Sequence, residues 1–208
     1  MMDILSFKDK EAFEILEAGY VLALPTETVY GLGIRFDDEK AYQRLCESKH
    51  RRFDKPIAVM TGTHFPLDDF FEISENAKRV MNHFLPGALT CLVKVKANVP
   101  YQAHLGTGIA GIRIPDKKEL LELLNSLPWP LQVTSANISG EEATKRFDDV
   151  YNTFKNSESV KGIIKGTCQS GTPTTVVSLV GEKPLVIRQG EITKEQIEEV
   201  FFNKGANY

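Results

Sequence analysis

Four cations crowd into one short stretch of the chain, Lys49-His50-Arg51-Arg52 with Lys55 close behind. Like charges so close repel one another unless water or a bound anion separates them, and a triphosphate is such an anion. A solvated helix end, where cations complement the C-terminal dipole, is the plainer account of the segment taken alone. A second dense stretch is Pro25-Thr26-Glu27-Thr28-Val29-Tyr30-Gly31-Leu32-Gly33, directly after an apolar run. It gathers two hydroxyls, a carboxylate and a phenol, and its two glycines would let backbone approach a ligand. It is neither a Walker loop nor a dinucleotide fingerprint, and a structural turn explains it as well.

Arg113 stands in Gly111-Ile112-Arg113-Ile114-Pro115, on the opposite face of a predicted strand from both isoleucines. It is either exposed or, if buried, in need of a carboxylate or phosphate, because an unpaired buried charge is costly. Its planar fork suits a ligand carboxylate. Val133-Thr134-Ser135-Ala136-Asn137-Ile138-Ser139-Gly140 runs from a strand into short polar groups that could bind an amino acid or nucleotide, or cap a helix. No Gly-x-Ser-x-Gly elbow surrounds Ser135, which argues against a serine hydrolase. Thr174-Thr175-Val176-Val177 and Val186-Ile187-Arg188-Gln189-Gly190 read as two strands with polar ends. The four histidines are scattered without metal-ligand spacing, so no protein metal site is expected.

Short apolar runs alternating with helical patterns must position these groups, which favours α/β organisation. A helix is predicted over 8–18, ended by Gly19, then a strand over 20–24. Asp37 or Asp38 caps a helix running through Glu47, and Ser74 caps another with Ala77, Val80, Met81 and Phe84 at core spacing. Strands are predicted over 89–95, 111–114, 131–134, 175–179 and 185–188. The last helix opens with Thr193 and Gln196 in capping-box register and buries Ile197, Val200 and Phe201. Several strands end in polar or cationic residues, where open α/β sheets bind ligands.

The 208 residues, 42% hydrophobic and 25% charged, suit one globular domain over 1–208. A net charge of −3 argues against non-specific nucleic-acid binding as the main trade. Three cysteines without metal spacing read as reduced thiols, and neither a signal peptide nor a membrane span is evident, so a cytoplasmic address is expected.

Six segments in order resemble the YrdC-like family, which includes threonylcarbamoyl-AMP synthases. They are the 25–33 stretch, Lys49-x-Arg51, Pro86-Gly87-x-x-Thr90, Ser135-Ala136-Asn137-x-Ser139-Gly140, Thr174–Val177 and Arg188-x-Gly190. The resemblance implies a YrdC/RibB-like α/β fold, a twisted mixed β-sheet with surrounding helices and a concave basic cavity, without the extra C-terminal domain of longer members. It implies that L-threonine, bicarbonate and ATP, the last with Mg²⁺, give threonylcarbamoyl-AMP and pyrophosphate. A downstream threonylcarbamoyl transferase would then use the product to modify tRNA. By motif, Thr28, Tyr30, Arg113, Ser135 and Thr174 would surround threonine. Lys49, Arg51, Lys55, Asn137 and Arg188 would surround ATP, with Lys49 and Arg51 catalytic. Two alternatives follow from the same family: a double-stranded-RNA-binding or ribosome-associated module, and a YciO-like enzyme with another acceptor. Thr172-Pro173-Thr174-Thr175 suits that last branch, whereas Thr28, Tyr30 and the Ser135-Ala136-Asn137 loop suit the synthases.

Overall fold

The computed structural model describes residues 2–203. Strands β1 (Asp3–Leu5), β2 (Val21–Pro25), β3 (Tyr30–Arg35), β4 (Val59–Met60), β5 (Phe71–Glu72) and β6 (Leu89–Val95) come first. They are followed by β7 (Ile109–Arg113), β8 (Leu131–Ser135), β9 (Val160–Ile164), β10 (Thr175–Ser178) and β11 (Leu185–Arg188). All join one mixed sheet in the order β1-β9-β2-β3-β8-β4-β7-β6-β10-β11, with β5 beside the far end of β6. Helices α1 (Lys10–Glu17), α2 (Glu39–Ser48), α3 (Leu67–Phe70) and α4 (Glu75–Phe84) interleave with α5 (Tyr101–His104), α6 (Lys118–Ser126), α7 (Phe147–Phe154) and α8 (Lys194–Phe202).

Caps set the helix starts where the sequence predicts them. Asp38 accepts from Ala41 N, Ser74 from Ala77 N, and Thr193 with Gln196 forms a reciprocal capping box. Gly19, at φ +73°, ends α1 in the left-handed region. The larger core packs α1, α4, α6 and α8 on one face of the sheet, while a smaller core packs α2 and α7 on the other. Strand alternation sends Cys91, Ile112 and Val177 into the larger core. Their neighbours Thr90, Arg113 and Val176 therefore face the other side, where they line a cavity.

The 25–33 segment is a hairpin rather than a ligand loop alone. Strand β3 returns antiparallel to β2, with Gly31 opposite Leu24. A Cβ on Gly31 would lie 2.6 Å from Val133 Cγ1, so this glycine admits the neighbouring strand β8. Gly33 likewise packs against Leu24 and Leu131. The turn is wound by its own side chains: Thr26 Oγ1 donates to Val29 O at 2.8 Å and accepts from Thr28 N at 3.1 Å.

Tyr30 fixes the hairpin to β9. Its hydroxyl lies 3.1 Å from Ile164 O and 2.9 Å from Gly166 O, and accepts from Gly166 N at 3.1 Å. Burial pushes its pKa up to about 12, so it stays neutral. Tyr30→Phe should leave those buried backbone groups short of a partner and cost about 1–3 kcal/mol. Urea unfolding should show a lower midpoint with an unchanged slope.

Candidate functional site

Two adjoining chambers open on the sheet face that α2 and α7 leave uncovered. The larger, about 550 Å³, includes Thr28, Arg113, Thr174 and Arg188 in its lining. The smaller, about 380 Å³, includes Lys49, Lys55 and Asn137. Arg51, Thr134 and Ser135 line both and form the junction. These volumes are in the range of small-molecule sites.

Arg113 ends β7 and is 9% exposed, so the choice between exposure and a buried partner falls to burial. Its partner is Glu27: Arg113 Nη2 lies 2.8 Å from Glu27 Oε1, 2.8 Å from Thr28 Oγ1 and 3.2 Å from Thr26 Oγ1. The hairpin tip is thus a socket for one corner of the guanidinium. Nη1 has no protein partner among the described residues and is left to the chamber that Arg113 lines. Segment 169–171 clamps the tip from behind, with Gln169 N and Ser170 N donating to Glu27 O and Gly171 N to Thr28 O. Glu27 and Thr26 have no role in the sequence reading. The sequence signal for them is the carboxylate between two threonines, awaiting a buried arginine.

The cationic stretch is a helix terminator with chemistry attached. His50 adopts φ +50° just after α2; Arg51 N bonds Cys46 O and His50 N bonds Glu47 O, a Schellman arrangement. This turn sends Lys49 inward, to 2% exposure, and Arg51 to the junction. Lys49 Nζ donates to Ser135 O and, at 2.5 Å, to Asn137 O; Ser139 N returns a bond to Lys49 O at 2.8 Å. The Ser135–Asn137 loop is therefore built around this ammonium, and one of its three protons remains for a ligand. Arg51 Nη2 donates to Lys55 O and Pro56 O, both at 3.1 Å, which ties Arg51 to the turn carrying Lys55.

Arg188 Nη2 and Nε donate to Thr174 O at 2.8 and 3.1 Å, and Thr174 Oγ1 lies 2.9 Å from Thr90 Oγ1. Arg188, grouped by motif with Lys49, Arg51, Lys55 and Asn137, lines the chamber of Thr28, Arg113 and Thr174. Tyr30 borders the same chamber, with its hydroxyl bonded to the backbone at 164–166. Ser135 touches both chambers. Among the described residues, Glu27 Oε2, Arg51 Nε, Arg113 Nε and Asn137 Oδ1 are buried without a partner, a concentration of unspent polarity at one place. No cluster of three or more acidic, histidine or cysteine side chains that could hold a metal occurs among them.

Burial, and then the charge of Arg51, lowers the Lys49 pKa from 10.5 to about 8. Between those values the unfolded chain holds a proton that the folded chain has released, so stability rises with pH across that window. Relative to Lys49→Met, the wild type should gain on the order of 3 kcal/mol from pH 8 to 10.5 and show no change below about pH 7. Urea unfolding of both proteins at a series of pH values measures this.

A family model for Sua5/YciO/YrdC, described as "Telomere recombination", matches residues 14–190. The threonylcarbamoyl-AMP synthase of Bacillus subtilis (strain 168) is 34% identical over 204 residues, covering 95% of this chain and 58% of that protein. The structure of Pyrococcus abyssi Sua5 complexed with L-threonine superposes with a TM-score of 0.88 at 30% identity, covering 96% of this chain and 60% of that one. Escherichia coli YciO superposes with a TM-score of 0.81 at 25% identity, covering 92% and 96%. The chain thus spans less than two thirds of the Bacillus and Pyrococcus proteins and nearly all of YciO. With its mixed sheet, its hairpin socket and a model match over most of its length, this chain belongs to the Sua5/YciO/YrdC family.

Proposed function

We propose that the chain makes threonylcarbamoyl-AMP and pyrophosphate from L-threonine, bicarbonate and ATP, the last as its Mg²⁺ complex. The observation that carries this reading is the pair of joined chambers, one lined by Arg113, whose Nη2 is held by the hairpin tip, and the other by Lys49 and Lys55, with Arg51 between. The likeness to a Sua5 structure holding L-threonine supports the amino-acid half.

In this reading Arg113 Nη1 takes the threonine carboxylate while Thr28 and Ser135 bound the rest of the molecule. Lys49, Arg51, Lys55 and Asn137 take the nucleotide phosphates. A carbamate oxygen attacks the α-phosphorus, and the bond to pyrophosphate breaks. Negative charge then gathers on phosphate oxygens at the chamber junction, where Arg51 and Lys49 are already fixed and need no reorganisation. Holding both reactants in adjoining chambers also removes the entropy cost of their encounter. The product would pass to a downstream transferase for adenosine modification in tRNA. We place this work in the cytoplasm, with Cys46, Cys91 and Cys168 as buried free thiols. No helix among the described residues is long and apolar enough to cross a membrane. A second reading, a YciO-like enzyme with another acceptor, draws on the near full-length match to YciO.

Pyrophosphate release from Mg-ATP should require both threonine and bicarbonate; release without threonine, or equal with every amino acid, would overturn the synthase reading in favour of the second. Arg113→Ala should weaken threonine on the order of ten- to a hundredfold and leave ATP affinity near wild type. Arg51→Ala should weaken ATP by a similar factor and slow the chemical step. Calorimetric titration of folded variants, with single-turnover kinetics, separates the two patterns.

A further inference from the structure

The turn over 52–57 carries two cations of the smaller chamber, Arg52 and Lys55, and side chains alone hold it. Among the described residues, no backbone–backbone hydrogen bond reaches any residue from 52 to 57. Tyr42 Oη donates to Phe53 O at 3.1 Å, Arg51 Nη2 to Lys55 O and Pro56 O, and Gln132 Nε2 to Ile57 O at 3.2 Å. Four carbonyls of one turn thus hang on three side chains. A segment without backbone pairing has little rigidity of its own, so those tethers decide where its groups stand.

Gln132 is the tether that packing does not account for. It sits in β8 between Leu131 and Val133, which face the larger core, and is itself fully buried on the opposite face. Its amide nitrogen divides its two protons between Ile57 O and Gln102 O, both at 3.2 Å, while Oε1 has no partner among the described residues. Gln102, also buried, extends the chain by donating to Phe36 O at 3.0 Å. Taking a primary amide out of water with one acceptor unmet costs stability that an aliphatic side chain at the same place would not. What the amide supplies is position. It ties the end of the turn to β8, to α5 and to the residue that follows β3. Pro56 has a fixed φ, so the hold on Ile57 O carries over to the two carbonyls that Arg51 grips. At the other end of the turn, burial pushes the Tyr42 pKa up, and the phenol keeps the proton it donates.

We propose that Gln132, with Tyr42 at the other end of the turn, positions Arg51 for the polyphosphate of ATP. Neither residue lines a chamber, so both act through the turn and not on the ligand. The inference rests on the reading that puts the nucleotide phosphates in the smaller chamber. Arg51 is fixed by the same carbonyls it binds, so a turn that drifts takes the guanidinium with it. A misplacement of about 1 Å is enough to spoil an oriented contact. The amino-acid half is held elsewhere, with Arg113 Nη2 fixed by the hairpin tip.

The test measures ATP and threonine Kd by calorimetry for wild type, Gln132→Met, Arg51→Ala and the double variant. Gln132→Met keeps the length and bulk of the side chain and removes both donors. It should weaken ATP about three- to tenfold and leave threonine within about twofold. Because Gln132 acts through Arg51, the same substitution beside Arg51→Ala should change ATP affinity by less than about twofold, a non-additivity that a merely structural role does not produce. Tyr42→Phe keeps the ring and deletes one bond to the turn; it too should weaken ATP and spare threonine. That variant carries the test if circular dichroism shows Gln132→Met unfolded. Equal weakening of both ligands, or an ATP Kd that neither substitution moves, would overturn the inference. So would a Gln132→Met effect that persists in full beside Arg51→Ala. The expected ATP pattern together with pyrophosphate release that ignores threonine is the separate failure of the synthase reading, whereas wild type that does not bind ATP defeats both.

Discussion

A guanidinium taken out of water must be met by hydrogen bonds and negative charge, and the burial of Arg113 imposes that demand on the middle of the sheet. Glu27 meets the charge, and Thr26 and Thr28 meet the remaining directions of Nη2. These three residues occupy the tip of the β2–β3 hairpin, so the demand fixes where the hairpin must end. Tyr30 then holds the hairpin stem against β9, and the 169–171 segment closes behind the tip. Removing one partner of such a pair leaves the other as an uncompensated buried charge, which is why both halves of the arrangement belong to the scaffold as much as to the site.

Around that fixed point the cations divide by element. Arg113 stands on β7, whose backbone is held on both sides by β4 and β6, and Arg188 on the edge strand β11, held by β10 alone. Those of the smaller chamber come from the end of α2 and the loop after it, held by the Schellman turn and by Lys49 bonding to the Ser135–Asn137 loop. The junction group Arg51 is anchored through backbone carbonyls at 55 and 56, so its orientation does not depend on a carboxylate that would cancel its charge. A chain with a net charge of −3 thus gathers Lys49, Arg51, Lys55, Arg113 and Arg188 in the lining of two adjoining chambers. Net charge averages over the whole molecule and is silent about such a local field.

Much of this is legible in sequence where local physics decides. Strands 89–95 and 185–188 have the bounds the alternation predicts, and the caps at Asp38, Ser74 and Thr193 follow from side chains that compete for the first free N–H groups. Helix α6 carries Leu120, Leu123 and Leu124 at helical spacing, with Leu127 as its buried C-cap, a signal as clear as that of α4 though not among the predicted helices. The return strand β3 is hidden because Gly31 and Gly33 look like loop residues, while their purpose is close packing against Val133, Leu24 and Leu131. The position of Arg188 is hidden for another reason. Its face depends on a bulge set by β10, and no alternation within 185–188 can reveal a register break made with another strand.

The row of chamber-lining residues from Arg188 through Val176 and Thr90 to Arg113 also bears on how the molecule matures. Its members at 90 and 113 lie on the consecutive strands β6 and β7, and those at 176 and 188 on the consecutive strands β10 and β11, so only the parallel β6–β10 pairing, across a separation of 176 − 90 = 86 residues, brings the two pairs together, as long-range pairings do. Such pairings close late and slowly, because chain entropy is lost before any of them is rewarded. A partly folded chain that has formed α1, β2 and the hairpin already owns the Arg113 socket but no guanidinium to fill it and no opposite pole. Ligand competence therefore arrives in one step with the last strand. The row is an internal gauge of completed folding, and anything that engages both of its ends should slow the detachment of β11 before it slows any other unfolding event.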